Sequence, residues 1–335
     1  VTATRAGYGG RVRTIDWQDG VVEIVDQTAL PETLRMLRLA TVDELVDAIA
    51  RLAVRGAPAL GVAGALGVAL AAQQYRGPAL DEAVGRIAAA RPTAVNLARG
   101  ARRVAARLPE GPQAALTEAL RVRDEEIDSS RRMAERGADL VSDLCGPSPR
   151  LLTHCNTGGL ATVVGGTALA VVAELHRRSR LSGVVASETR PLLQGARLTA
   201  WELGRLGVPY EVAVDGAGPF LMAQGRVDAV ILGADRVCAN GDVVNKIGSF
   251  AHALGARHAG IPFIVVAPES TVDPATPGGD AVVIEDRGPE EVLGYAGARV
   301  APEGARAVNP AFDVVPADLV TAVVTDRRVI RGQAA

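Results

Sequence analysis

Hydrophobic and polar positions change rhythm twice along the chain. Residues 8–26 alternate: "RVRTIDWQDGVVEIVD" reads as short strands, and Asp19–Gly20 is a turn signal between them. From Thr41 the period lengthens to that of a helix. Leu45, Ile49 and Leu52 recur on one face of "TVDELVDAIARLAV", and Thr41 with Glu44 forms a capping box at its start. Further helical patterns span 58–75, 80–89, 94–107 and 113–142. The proline-bearing "CGPSPR" (Cys145–Arg150) then marks a boundary. Beyond it, short apolar runs at Leu151–Thr153, Gly183–Ala186, Tyr210–Val214, Ala229–Leu232 and Phe263–Val266 alternate with helical stretches. Later strands are expected over Val282–Glu285 and Leu319–Thr325. The tail "RRVIRGQAA" reads as a last short strand and a frayed end. Strands alternating with helices predict βαβ units and a parallel sheet. The expected fold is α/β: a mostly helical N-terminal domain with a small β element over 1–145, then a Rossmann-like parallel-sheet domain over 146–335.

Composition narrows the function classes. With 335 residues, 48% of them hydrophobic, the chain can bury full cores. A net charge of −2 and 3% aromatic residues give no footprint for nucleic acid. The longest apolar run, "APALGVAGALGVALAA" (Ala57–Ala72), falls short of a membrane span, so no membrane partner is expected. Cys145, Cys155 and Cys238 lack metal-ligand spacing, and no secretory pattern is visible, so a cytoplasmic setting is expected. No G-x-G-x-x-G stands where a dinucleotide site needs it, and no Walker A motif occurs, which argues against a nicotinamide or flavin enzyme. Of the 36 basic residues one is lysine, Lys246. Against that arginine bias, a lone lysine suggests a place where a compact ammonium is needed and a planar guanidinium does not fit.

Open α/β sheets bind ligands outside the carboxyl ends of their strands. Two reactive side chains fall at such ends. Cys155 follows "LLT" and precedes an expected helix start at Gly158 or Gly159, which would lower the thiol pKa; a merely buried cysteine is the simpler reading of the same position. Asp235 follows "AVILGA", and burial there would keep it protonated as a general acid. Asn245 and Lys246 lie just ahead of a helix expected near Gly248, the makings of a phosphate cradle. Arg55 and Arg91 sit in turns between helices. Glu188, Thr189 and Arg190 mark another strand end, with Gln194 one turn into the next helix.

Eight stretches, in order, carry a resemblance over nearly the whole chain: "RTIDW", "VRGAPALG", "RPTAVNL", "LLTHCNTGGLAT", "SETRPLLQGARLTAWEL", "GADRVCANGDVVNKIGS", "APESTVD" and "NPAFDVVP". The sequence resembles the methylthioribose-1-phosphate isomerase family and, more broadly, the sugar-phosphate isomerases related to regulatory subunits of the initiation-factor 2B exchange factor. The resemblance implies conversion of a 5-substituted ribose 1-phosphate to the ribulose 1-phosphate, without metal or organic cofactor, by a homodimer. It implies Cys155 and Asp235 as the catalytic pair, and substrate contacts at Arg55, Gly56, Ala57, Arg91, Gln194, Asn245 and Lys246. The anomeric phosphate prevents spontaneous ring opening, so an acid must protonate the ring oxygen, a role that suits Asp235. Cys155 then serves as base if a proton moves between C2 and C1, or stabilises the transition state if a hydride moves. Leu66, Arg99 and Gly216 depart from the family pattern. They leave open 5-deoxyribose 1-phosphate, a 5-halo-5-deoxyribose 1-phosphate or ribose 1,5-bisphosphate as substrate. A non-catalytic regulatory subunit of the same fold is the reading from a different class.

Overall fold

A computed structural model describes residues 13–92, 94–295 and 297–332. Of the strand region expected over 8–26, residues 8–12 lie outside the described residues, as does the end of the tail at 333–335. The chain forms two compact units. The first comprises residues up to Arg131 together with Thr157–Ala170; the second comprises Arg132–Asn156 and Val171 onward. The boundary therefore differs from the expected one at 145/146. The proline-bearing segment ends a helix, but the last turns of that helix already pack in the second unit, where Gly137 lies against Val171 so closely that a Cβ would meet its side chain at 2.4 Å.

In the first unit, β1 (Ile15–Gln18), β2 (Val21–Val25) and β3 (Met36–Leu39) form an antiparallel meander. Asp19 and Gly20 turn between β1 and β2 with φ of 48° and 84°, as a two-residue hairpin of the right twist requires. Helix α1 (Val42–Ala50) opens on the capping box of Thr41 and Glu44. Helices α2 (Ala57–Gln74), α3 (Pro78–Ala89) and α4 (Val95–Ala105) follow, then α5 (Pro112–Cys145), which runs across the unit boundary. By length and composition α2 could cross a membrane, but it is the core helix of this unit, with Leu60, Leu66 and Leu70 buried against Leu45, Ile87 and Leu97. Its glycines let α4 approach to backbone contact: a Cβ on Gly64 would stand 2.2 Å from the Leu97 carbonyl, and one on Gly100 2.0 Å from that of Gly61.

The second unit is built on a seven-stranded sheet. Its strands are β4 (Arg150–Thr153), β5 (Gly183–Ser187), β6 (Tyr210–Ala213), β7 (Ala229–Leu232), β10 (Phe263–Val266), β15 (Ala322–Val324) and β16 (Val329–Arg331), in the order β16-β15-β10-β7-β4-β5-β6. All neighbours are parallel except β16. The inner strands "AVIL" and "FIVV" are buried throughout, as a sheet covered on both faces demands. The helices α6 (Ala168–Arg177), α7 (Ala200–Leu206), α8 (Ala217–Ala223) and α9 (Ser249–Ala259) lie between strands in the sequence. A smaller sheet holds β8 (Arg236–Cys238), β9 (Val243–Lys246), β11 (Val272–Asp273) and β14 (Phe312–Val315), in the order β11-β8-β9-β14. A short helix α10 (Glu290–Leu293) precedes the hairpin of β12 (Gly294–Tyr295) and β13 (Ala298–Arg299). Val282–Glu285 is not a strand, contrary to its apolar pattern. The neighbouring segment meets it at its end, where the Ala311 amide donates to the Glu285 carbonyl at 2.8 Å and Asp286 forms an isolated bridge with Pro310, and Val283 is 91% exposed.

Candidate active site

The order of the large sheet fixes where a ligand belongs. The chain enters at β4, steps outward through β5 and β6, and returns to the other side of β4 at β7. The C-terminal ends of β4 and β7 thus flank the point where the winding reverses, the place such sheets keep for ligands. Cys155 lies just beyond β4 and Asp235 just beyond β7. The two strands pair directly, Leu151 with Ala229 and Leu152 with Val230.

Cys155 is buried in a tight and strained turn, with φ of +62°. Its amide donates to Thr189 Oγ1 at 2.9 Å, and its carbonyl accepts from Thr199 Oγ1 at 2.6 Å. Thr189 has φ of +67°, rare for a β-branched residue. It is held there by Asp215, which follows β6 and accepts from the Thr189 and Arg190 amides, each at 2.7 Å. Strain of this kind costs about 1–3 kcal/mol per residue and gathers at functional sites. The helix expected at Gly158 or Gly159 is not there: Gly159–Ala161 is a single 3-10 turn, and α6 starts only at Ala168. Gly158 is instead tied to Gly166 by an isolated antiparallel bridge.

Asp235 also departs from expectation. It is exposed rather than buried, because the apolar run ends at Leu232 and Gly233–Ala234 carry the chain past the sheet edge. Its amide donates to the Val244 carbonyl at 2.9 Å, which fixes it beside β9 and the two residues that end that strand, Asn245 and Lys246. Asn245 is buried and donates to Ser249 Oγ at 2.8 Å. The Lys246 ammonium reaches the Ala311 carbonyl at 2.8 Å and lies 4.3 Å from the centre of the Phe312 ring. Helix α9 begins at Ser249 as predicted, but its first amides are not open to a phosphate. Asp313 of β14 accepts from Gly248 at 2.7 Å and from Phe250 at 3.2 Å. Burial pushes that carboxyl up to about 6, against the pull of these amides and of Lys246.

Gln194 is buried at the start of a π-helical turn, Gly195–Thr199, beyond β5. Its Oε1 is buried with no hydrogen-bond partner, an acceptor left for a donor from elsewhere. Only glycine fits at position 195, where a Cβ would stand 1.7 Å from the Ser187 carbonyl. The second unit therefore gathers Cys155, Gln194, Asp235, Asn245 and Lys246 along its strand ends.

Arg55, Gly56, Ala57 and Arg91 belong to the first unit. Arg55 Nε donates to Gln27 Oε1 at 3.1 Å, and Gln27 in turn donates to the Leu160 carbonyl at 2.7 Å. Gly56 caps α2 at φ of 96°, with the Ala161 carbonyl 2.4 Å from where a Cβ would be. Arg91 precedes α4, whose Asn96 touches Gly61 in the second turn of α2, so both arginines lead into the same end of this helix pair. Leu66 lies fully in the core, Arg99 is exposed, and a Cβ at Gly216 would meet nothing. Sequence reasoning missed Thr199, Asp215 and Asp313, which act through backbone groups on other loops. Among the described residues no group of three or more His, Cys, Asp or Glu is placed to hold a metal ion.

Residues 53–331 match the model of the Initiation factor 2 subunit family. A probable bifunctional methylthioribose-1-phosphate isomerase/methylthioribulose-1-phosphate dehydratase of Nocardia farcinica is 53% identical; the match covers 96% of this chain and 60% of that protein. A 5-deoxyribose 1-phosphate isomerase of Moorella thermoacetica is 47% identical over 96% of this chain and 94% of its own length. The crystal structure of 5-methylthioribose 1-phosphate isomerase from Pyrococcus horikoshii OT3 superposes with a TM-score of 0.89 at 39% identity, covering 96% of this chain and 93% of that one.

Proposed function

This chain belongs to the Initiation factor 2 subunit family, and from that footing we propose that it is an aldose–ketose isomerase acting on 5-methylthioribose 1-phosphate. The observation that carries the reading is the pair of reactive groups at the switch point, Cys155 beyond β4 and Asp235 beyond the adjoining β7. A binding module has no use for a thiol at positive φ and a carboxylate placed beyond two adjoining strands. Asp235 is the acid for the ring oxygen. It is exposed in the protein alone, so the sugar phosphate itself must dry it. Covering the carboxylate and setting a phosphate dianion nearby both disfavour its charged form. Opening of the C1–O4 bond then leaves an open-chain sugar at C1 and C2. Cys155 serves the transfer between these carbons, as base for a proton or as stabiliser for a hydride. Lys246 is the cation that the second unit offers the phosphate, and the partnerless Gln194 Oε1 accepts from a sugar hydroxyl.

A homodimer in the cytoplasm is part of the same proposal. Strand β6 is one edge of the large sheet, and Tyr210, Val212, Val214 and Phe220 beside it are all exposed, an apolar strip suited to a second copy. The 5-deoxy sugar is the second reading, favoured by the Moorella relative. The test is incubation with 5-methylthioribose 1-phosphate and, in parallel, 5-deoxyribose 1-phosphate, following ketose formation by NMR. Faster initial turnover of the methylthio sugar is expected. Faster turnover of the deoxy sugar selects the second reading, and no ketose from either sinks the isomerase.

A further inference from the structure

Two imidazoles are buried behind the proposed site, and the chemistry above uses neither. His154 immediately precedes Cys155 and is wholly buried; His252 lies in α9 and is nearly so. His154 Nε2 is 2.7 Å from the Ile247 carbonyl, which can only accept, so this nitrogen carries the proton. His154 Nδ1 is then the acceptor for His252 Nε2, 3.3 Å away. That assignment leaves His252 Nδ1 bare, and it is buried with no partner. Donation thus runs one way, from His252 to His154 to Ile247. The rings meet edge to face, with centroids 4.9 Å apart.

The backbone makes room for both rings with glycine. A Cβ on Gly248 would stand 2.9 Å from His154, and one on Gly218 2.4 Å from His252. Aliphatic side chains would fill such space without a desolvated, unsatisfied nitrogen. We propose that His154 and His252 are positioning residues, a hydrogen-bonded pair that sets the spacing between the Cys155 turn and Lys246. His154 is the neighbour of Cys155 in the chain, and its bond ends on Ile247, the neighbour of Lys246. One side chain therefore ties the loop carrying the thiol to the loop carrying the ammonium, while His252 holds that side chain's orientation from α9.

The link works only while both rings are uncharged. A proton on His154 Nδ1 would face the His252 N–H, and one on His252 Nδ1 would find no acceptor. Burial lowers both pKa values, that of His252 to about 3. The charged groups facing His154 are Lys246 on β9, which reinforces the lowering, and Asp215 after β6, which opposes it; among the described residues the titratable group facing His252 is His154.

The proposal rests on the isomerase reading for its kinetic half. His154→Leu should lower kcat by about 100-fold, the effect of a misplacement on the order of 1 Å, with KM little changed. His154→Gln, whose amide can still reach the Ile247 carbonyl, should recover most of that loss. Should His154→Leu fail to fold, His252→Leu against His252→Gln asks the same question of the outer link. Wild-type kcat in the leucine variant, or a glutamine variant no better than leucine, overturns the proposal. The other half needs no turnover. Nitrogen-15 NMR of labelled histidines should show both rings as uncharged Nε2–H tautomers from pH 5 to 8. A protonated or Nδ1–H His154 overturns the pairing even if the isomerase reading stands, and the expected spectrum without turnover of either sugar would condemn only the isomerase.

Discussion

At the scale of single residues, the assigned roles separate chemistry from stability. Cys155→Ser and Asp235→Asn are each expected to lower turnover by orders of magnitude while the urea unfolding midpoint stays near that of the wild type. The thiol sits in a turn held through its backbone, and the carboxylate side chain is exposed. Activity within a few-fold of wild type in either variant would refute the role. His252 acts in the opposite direction, through stability. Its folded pKa of about 3 lies below the ordinary 6.5, so below pH 6.5 the unfolded chain binds a proton that the folded one refuses. Stability contributed by the uncharged ring is complete above pH 6.5 and is lost as pH falls toward 3, by about 1.4 kcal/mol per pH unit. Asp313, raised to about 6, has the opposite sign between its ordinary 3.8 and that value, so the comparison is made within one background. Urea midpoints at pH 5 and 7.5 should differ more for the wild type than for His252→Gln. Cys155 and Lys246 were legible in the sequence because a scarce residue type at a strand end is conspicuous. Asp215 and Asp313 were not. Their partners are backbone amides on other loops, and an acidic residue in a turn looks the same whether or not it holds such amides.

At the scale of elements, what could be read was periodicity. Helices α2 to α5 and the inner strands of the large sheet lie within a few residues of where the 3.6-residue pattern and the apolar runs put them. The run at Val282–Glu285 shows the limit of that signal. A β-prone segment becomes a strand only where a neighbour supplies hydrogen bonds, and sequence alone does not show the neighbour. Nor does it show how close two helices come. Gly64 and Gly100 are unremarkable inside helical patterns, yet they admit the α2–α4 contact. Gly100→Ala would drive a methyl to 2.0 Å from the Gly61 carbonyl, which neither backbone can yield. It should destabilise by about 1–3 kcal/mol or more, read from urea unfolding monitored by circular dichroism. Gly85→Ala, on α3 with open space around it, should cost nothing and serves as the control in the same experiment.

At the scale of the whole molecule, the chain does not divide at its proline-bearing break. Residues 157–170 return to the first unit after β4 has entered the second. They accept from Thr14, through its amide to Val163 and its hydroxyl to Gly159, and from Gln27 through Leu160. A fragment ending at Arg131 should therefore lack cooperative unfolding by circular dichroism, because β1 loses these anchors and the Gly56 turn loses Ala161. A fragment starting at Val171 should fail as well, since β4 is the strand from which the large sheet winds in both directions. A cooperative transition in the first fragment would show that the returning segment is dispensable, and one in the second would show the same of β4. The two-domain reading of the sequence saw the proline-bearing break and the change of rhythm near Cys145 but had no signal for the return.

That return also orders events in time. Thr14 and Gly159 bond across 145 positions of chain, so their contact cannot form until Gly159 has left the ribosome. The first unit, though made first, has to wait for residues translated after the first strand of the second. Its edges stay uncovered for the interval, as in any protein whose early segments depend on late ones, and long-separated contacts of this kind slow folding. The nascent chain is thus most open to misassociation between the synthesis of α2 and the arrival of Val163.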